Sequence, residues 1–294
     1  MQPTNPPSRC HGIGLALLLV LLASACNRHA IRNGTLAWSD ARQLTLVTTT
    51  GWDATNGVLR RYSRHDGDWM QIGTAVPVVI GRTGSAWGIG LHPAQTGGPI
   101  KREGDGRAPA GIFSIGEAFG YAGTASTALP YLSMQATHYC MDVPASPLYN
   151  RIVDTRNVGD AAVEGSTEPM RLDIHNNGDH RYKLGFVIQH NPQAVQDAGS
   201  CIFAHLWKNP TQATAGCTAM DEPAMRELLA WLRVGAHPVF VLLPENEYRR
   251  VQAAWKLPSN TTLQERPMGA GGFTGNASSR PWGAPTKPTG MARR

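Results

Sequence analysis

Cys217 is the residue whose setting most invites chemistry. It follows Thr214-Ala215-Gly216 and precedes Thr218-Ala219-Met220. A thiolate is a strong nucleophile, and a glycine just before it lets the chain turn sharply and a substrate approach closely. Such a turn also frees nearby amides to point at a developing oxyanion. His205 stands twelve residues upstream, at the end of the apolar stretch Ile202–His205. Asn209-Pro210 lies between them, so a loop there can fold His205 back onto Cys217. A thiol needs such a base to ionise near neutral pH. The chemistry this pair suits is nucleophilic attack by a base-activated thiolate.

The other cysteines give that thiol a context. The chain has five in all. Arg9 and His11 precede an uncharged run from Ile13 to Ala25, and Leu22-Ala23-Ser24-Ala25-Cys26 closes it. The run is shorter than the roughly 20 residues a membrane-spanning helix needs. A basic start, a short apolar core and small residues at its end describe a secretory signal. A cysteine directly after them resembles a bacterial lipoprotein signal, with cleavage before Cys26 and lipid on Cys26. The expected location is the periplasm, anchored through that lipid to a membrane, in two-membrane bacteria the outer one. That compartment is oxidising, so a spare thiol there is usually paired. Cys140, Cys201 and Cys217 remain, and three cysteines cannot all pair within one chain. Spacing alone leaves the pairing open; the expected arrangement is a Cys140–Cys201 disulfide with Cys217 free.

The elements that must position these residues are mostly strands. Gln43–Thr49 is rich in Leu, Val and Thr and reads as a strand. Val58–His65 reads as a second strand, which turns at Asp66-Gly67-Asp68 and pairs with Trp69–Ile72. Ala75–Gly81 reads as a separate strand, Gly81–Gly111 as a Gly-rich loop, and Gly111–Ile115 as a short strand. Lys183–His190 and Ile202–His205 read as core strands, and Pro238–Leu243 as a final one. Met225, Leu228, Leu229 and Leu232 have helical spacing, Asp221 suits the N-cap, and Pro223 falls in the tolerant first turn. Glu245–Trp255 reads as a terminal helix. The expected class is mainly β with a few helices (α+β). The expected division is a signal over residues 1–25, a tether over 26–42, one domain over 43–256, and a Gly/Pro-rich basic tail over 257–294.

Composition supports this reading and excludes others. Charged residues are only 16% of the 294, and hydrophobic ones 41%. That excludes a coiled coil and a charge-rich disordered chain. Gly and Pro number 32 and 21, which argues for many turns and against a helical bundle. The net charge is +6, but the tail from Leu257 onward holds five Lys/Arg and one Glu, hence +4 of it. The body is nearly neutral, so no nucleic-acid groove is expected.

Several segments carry a resemblance. GSCIFAHLWKNPTQATAGCTAM (Gly199–Met220) resembles the active-site signature of the L,D-transpeptidase family, with its YkuD-type β-sandwich or barrel-like fold. More narrowly it resembles a branch whose motif reads H…TAGC. Ala75–His92, Ile100–Ala122, Tyr139–Val153 and Lys183–Asn191 agree in the same order. The resemblance spans roughly Gln43 to Leu243. It implies an enzyme acting on peptidoglycan stem peptides, with Cys217 as nucleophile, His205 as proton shuttle, and the Gly216 and Cys217 amides as oxyanion donors. It implies no metal and no cofactor, and a monomer is expected. The outcome is cross-linking when an amine takes the acyl group, or carboxypeptidase or endopeptidase hydrolysis when water does. The commoner family motif carries a His where this chain has Ala215, so another group must do that work or it is not done.

Other residues are candidates for the substrate surface. Arg102 and Arg107, in the loop Lys101–Arg107, suit the carboxylates of a stem peptide, since guanidinium clamps carboxylate in a bidentate fork. His190 is a candidate for the missing His, and Trp207 for the wall of a groove. Two further readings stand beside the enzyme: a wall-binding lipoprotein without turnover, and a zinc protein using His190, Cys201, His205 and Cys217.

Overall fold

A computed structural model describes residues 31–32 and 35–259. The signal sequence, Cys26 and the tail beyond Ser259 lie outside the described residues. The strands are β1 (Ile31–Arg32), β2 (Thr35–Leu36), β3 (Gln43–Thr49), β4 (Asn56–His65), β5 (Asp68–Val79), β6 (Ser85–Trp87), β7 (Ala108–Gly120), β8 (Tyr131–Ser133), β9 (His138–Cys140) and β10 (Ile152–Asp154). Then come α1 (Thr155–Val158), β11 (Glu168–Pro169), α2 (Leu172–His175), β12 (Leu184–Ile188), β13 (Phe203–Leu206) and β14 (Thr218–Met220). The chain finishes with α3 (Glu222–Trp231), β15 (Val239–Pro244) and α4 (Glu245–Val251).

The main sheet runs β12-β13-β14-β5-β4-β3-β15-β7, and β12 also pairs with β7. That last pairing closes these strands into a barrel, with β6 and β8 added to β7 outside the closed path. β7 makes the closure because it is long. Its first half pairs with β15 through Gly111–Ser114, and its second half pairs with β12 through Ile115–Gly120. The pairs β13–β14 and β3–β15 are parallel. β3 and β15 are buried at every position, which explains their apolar runs without alternation. Inside sit Leu44, Leu46, Phe113, Phe186, Phe240 and Leu242 among others. α3 covers the barrel with Met225, Leu228 and Leu229, and Asp221 caps it by accepting from the Ala224 amide at 2.9 Å.

Between β8 and β12 the chain builds a cap. Its small sheet has the order β10-β9-β11, flanked by α1 and α2. The cap and the barrel share a second apolar cluster containing Phe119, Met170, Tyr182, Phe203, Cys140, Cys201 and Cys217.

Four expectations change. Ala75–Gly81 is not a separate strand: β5 runs from Asp68 to Val79, absorbing a register shift opposite Leu59–Arg61. The stretch Gly81–Gly111 holds β6 and the start of β7, because Ser85–Trp87 pairs in parallel with Ala108–Ala110. The expected tether enters the fold. Trp38 and Ala41 are buried, and Trp38 Nε1 donates to the Trp255 carbonyl at 3.0 Å. The expected tail starts too early. Leu257 and Pro258 are buried, and the Pro258 carbonyl accepts from Tyr248 Oη at 2.5 Å.

Candidate active site

β13 and β14 carry the site. Their register pairs Ala204 with Thr218 and His205 with Ala219. Cys217 directly precedes Thr218, so it lies one diagonal step from His205, about 8 Å between backbones on strand geometry. Side chains alternate along a strand, so Phe203, His205, Cys217 and Ala219 share one face, toward the cap. The opposite face, with Ala204 and Leu206, belongs to the barrel core.

The thiol is enclosed. Cys217 is 8% exposed and His205 2%. Cys217 Sγ donates to the Cys201 carbonyl at 3.6 Å and accepts from the Phe203 amide at 3.3 Å. Burial pushes the thiol up to about 12, and the nearby Glu168 carboxyl adds to it; the Phe203 amide, Arg181 and Lys101 oppose. Burial likewise lowers His205 to about 4. Both groups therefore rest neutral at pH 7. His205 Nδ1 lies 2.7 Å from the Leu206 carbonyl. Only an N–H satisfies that oxygen, which assigns the proton to Nδ1 and leaves Nε2 with its lone pair. A neutral thiol and a neutral imidazole leave no resting ion pair between the two residues.

The turn before Cys217 is tight for a reason other than backbone sign. A Cβ on Gly216 would lie 3.1 Å from the Arg107 carbonyl. Thr214 Oγ1 organises the bend, donating to the Cys217 carbonyl at 2.6 Å and accepting from the Gly216 amide at 3.1 Å. The Gly216 amide is therefore spent inside the turn. Of the two expected oxyanion donors, the Cys217 amide is the one left.

A disulfide joins Cys140 on β9 to Cys201, with Cα atoms 5.9 Å apart, and Cys217 is free. The bond takes the Cys201 sulfur, so the zinc set of His190, Cys201, His205 and Cys217 is broken. It also ties the cap to the residue just before β13 that contacts Cys217. Cys201 has φ of 53°, unusual for a non-glycine residue. Asn150 helps hold it there, accepting from the Cys201 amide and donating to the His190 and Asn191 carbonyls, each at 2.9 Å.

The remaining candidates divide. His190 is interior: its Nδ1 accepts from the Ile89 amide at 3.3 Å and its Nε2 meets the Ala198 carbonyl at 2.9 Å. Both ring nitrogens are committed, so His190 locks a loop and does not replace the motif His. Arg107 is also structural. Its guanidinium donates to the Trp52 and Ser85 carbonyls and pairs with Asp53 at 2.8 Å, leaving little for a substrate. Its neighbours explain the loop: Lys101 pairs with Asp105, and Asp105 also accepts the Arg102 and Arg107 amides. Arg102 keeps an exposed side chain, available to a carboxylate. Trp207 is half-buried and lines a cavity at the end of β13.

Two residues without any sequence signal complete the site. Tyr182 packs its ring edge-on to His205, with centroids 5.1 Å apart, and to Phe203. Its hydroxyl donates to Glu168 on β11. Burial raises Glu168 to about 7, and the charges of Asp142 and Glu103 contribute. Neither lies in a recognisable motif; Tyr182 meets His205 from the cap, and Glu168 meets Tyr182.

Comparison with known proteins adds three findings. The family model described as YkuD, L,D-transpeptidase catalytic domain, matches residues 63–241. No curated protein sequence matches this chain. Among solved structures, that of Bdellovibrio bacteriovorus Bd1075 is similar at 13% identity with a TM-score of 0.35, covering 74% of this chain and 55% of that one. This chain therefore spans about half the length of that protein.

Proposed function

The chain belongs to the L,D-transpeptidase catalytic-domain family, and from that premise we propose that it is a cysteine acyltransferase acting on peptidoglycan stem peptides. The observation that carries the residue assignment is the placement of Cys217 and His205 on one face of the parallel pair β13–β14.

In this reading a stem-peptide carbonyl displaces the thiol from the Cys201 carbonyl. His205 Nε2 takes the proton from Cys217 as sulfur attacks the carbonyl carbon. The Cys217 amide donates to the oxyanion of the tetrahedral intermediate. Collapse breaks the C–N bond, and His205 returns the proton to the leaving amine. A thioester on Cys217 remains. A second amine attacks it and gives a cross-link, or water attacks it and gives hydrolysis. Enclosure of Cys217 beneath the cap favours the amine, because a closed site excludes bulk water.

The location belongs to the same proposal: a lipid on Cys26 and a periplasmic, outer-membrane-anchored enzyme. The signal-like residues 1–25 and a disulfide suited to an oxidising compartment support it.

Intact-mass spectrometry after incubation with a tetrapeptide-stem muropeptide, or with a carbapenem, tests the chemistry. A single adduct mapped to Cys217 and absent from Cys217→Ala is expected. A folded protein with reduced Cys217 and no adduct would sink the enzyme reading and leave a wall-binding lipoprotein in its place.

A further inference from the structure

Beyond the thiol site lies a cavity of about 500 Å³. It is lined by the ends of β3, β4 and β5, by α4, and by Trp207. That volume falls within the range of small-molecule sites. Trp207 sits two residues past His205 and extends the ladder, its amide donating to the Met220 carbonyl at 2.8 Å. The cavity thus begins about 7 Å of strand from the candidate base.

Its polar inventory is unbalanced. Arg60 lines it, and among the described residues its guanidinium makes one long hydrogen bond, to Thr48 Oγ1 at 3.4 Å, and no ion pair. Its Nε is sealed from solvent with no acceptor. Arg249, also on the wall, is held loosely by Glu245 at 3.6 Å. Glu245 is the only acid of the lining, against two arginines. A half-buried guanidinium without a counter-charge favours an incoming anion, and its planar fork suits a carboxylate. Trp207, Pro77 and Pro210 add apolar surface to the same lining.

We propose that this cavity is a second binding site, distinct from the Cys217–His205 centre, for a carboxylate-bearing ligand whose ring or aliphatic face rests on Trp207. Arg60 would hold the carboxylate, with Thr50 and Asn56 adding a hydroxyl and an amide at the wall. Two sources share this chemistry, an acidic sugar and the free carboxylate of a peptide.

Calorimetric titration of the Cys217→Ala protein separates them, since that variant binds without turnover. The probes are N-acetylmuramic acid against its uncharged counterpart N-acetylglucosamine, and a tripeptide with a free C-terminus against its amide. One acid is expected to bind at least about tenfold more tightly than its neutral partner. The acid that does so identifies the source. Arg60→Gln and Trp207→Ala, each added to Cys217→Ala, are expected to remove that preference and weaken binding about tenfold or more. If Arg60→Gln does not fold, Trp207→Ala and the exposed Arg249→Gln provide the same test. Equal binding of acid and neutral probes, no binding by either acid at low-millimolar concentration, or unchanged binding in the folded variants would overturn the site.

Discussion

The carbonyl of Cys201 accepts the thiol of Cys217 at 3.6 Å, while the side chain of Cys201 is bonded to Cys140 in the cap. One residue therefore touches the Cys217 thiol with its backbone and anchors the cap with its sulfur. The strand that carries His205 starts two residues later. The cap, Cys217 and the strand that carries His205 meet at a single position.

Cutting that link has a defined consequence. The disulfide spans 61 residues, and closing a loop of that length is worth about 4 kcal/mol. Cys140→Ser is expected to lower the melting temperature markedly and to slow adduct formation on Cys217, since Cys201 loses the bond that helps hold its left-handed backbone. Thermal melts and adduct kinetics on the same samples check both effects. An unchanged acylation rate would show that Asn150 alone holds the strand.

The free enzyme should be a poor target for small alkylating agents. With the thiol pushed up to about 12 by burial, few molecules carry a thiolate at pH 7, and iodoacetamide should label native Cys217 far more slowly than the denatured chain. Rapid labelling of the folded protein at pH 7 contradicts a buried, neutral thiol.

The acid limb of the pH–activity profile follows His205. Burial depresses it to about 4, so it stays an unprotonated base well below the usual histidine range. Acylation, as kcat/KM, should persist through pH 6 and fall as pH drops through about 4, where His205 becomes charged and can no longer accept a proton. His205→Ala should slow acylation by about 100-fold or more. A loss centred at 6.5 would mean that His205 is solvated in the free protein.

Glu168 gives a stability signature of opposite sense. Its folded value is raised to about 7 by burial, above the ordinary carboxyl range. Between these values the native state holds a proton that the unfolded state has lost. Its contribution is thus full below about pH 4.5 and is lost as pH rises through 7. Glu168→Gln cannot ionise, so its melting temperature relative to wild type should improve from pH 4.5 to pH 8. No change in that difference would place Glu168 in solvent.

Gly216→Ala tests the turn. The added Cβ meets the Arg107 carbonyl at 3.1 Å, and overpacking of this kind costs about 1–3 kcal/mol. A lower melting point with slower acylation is expected, because the displaced backbone carries the Cys217 amide with it. A neutral substitution would show that the loop around Arg107 gives way freely.

Local chemistry made much of this protein legible in its residues. Gly216-Cys217 and His205 stand out by type and by the resemblance of the stretch around them, α3 by its apolar period and its Asp221 cap, and β3 and β15 by residues suited to buried strands. These signals arise between neighbours in sequence, where short-range sterics and hydrogen bonding act. What only the tertiary structure decided lies at long range. β7 pairs with both β15 and β12 and so closes the barrel. His190 turns inward, and Arg107 spends its donors on carbonyls far away in sequence, although each looked like a ligand-binding residue. Trp38 and Leu257 join a core from outside the expected boundaries, and Tyr182 reaches His205, and Glu168 reaches Tyr182, only because the cap folds back over β13. No local pattern encodes these outcomes, because burial and partner choice depend on which distant segments arrive at the same place.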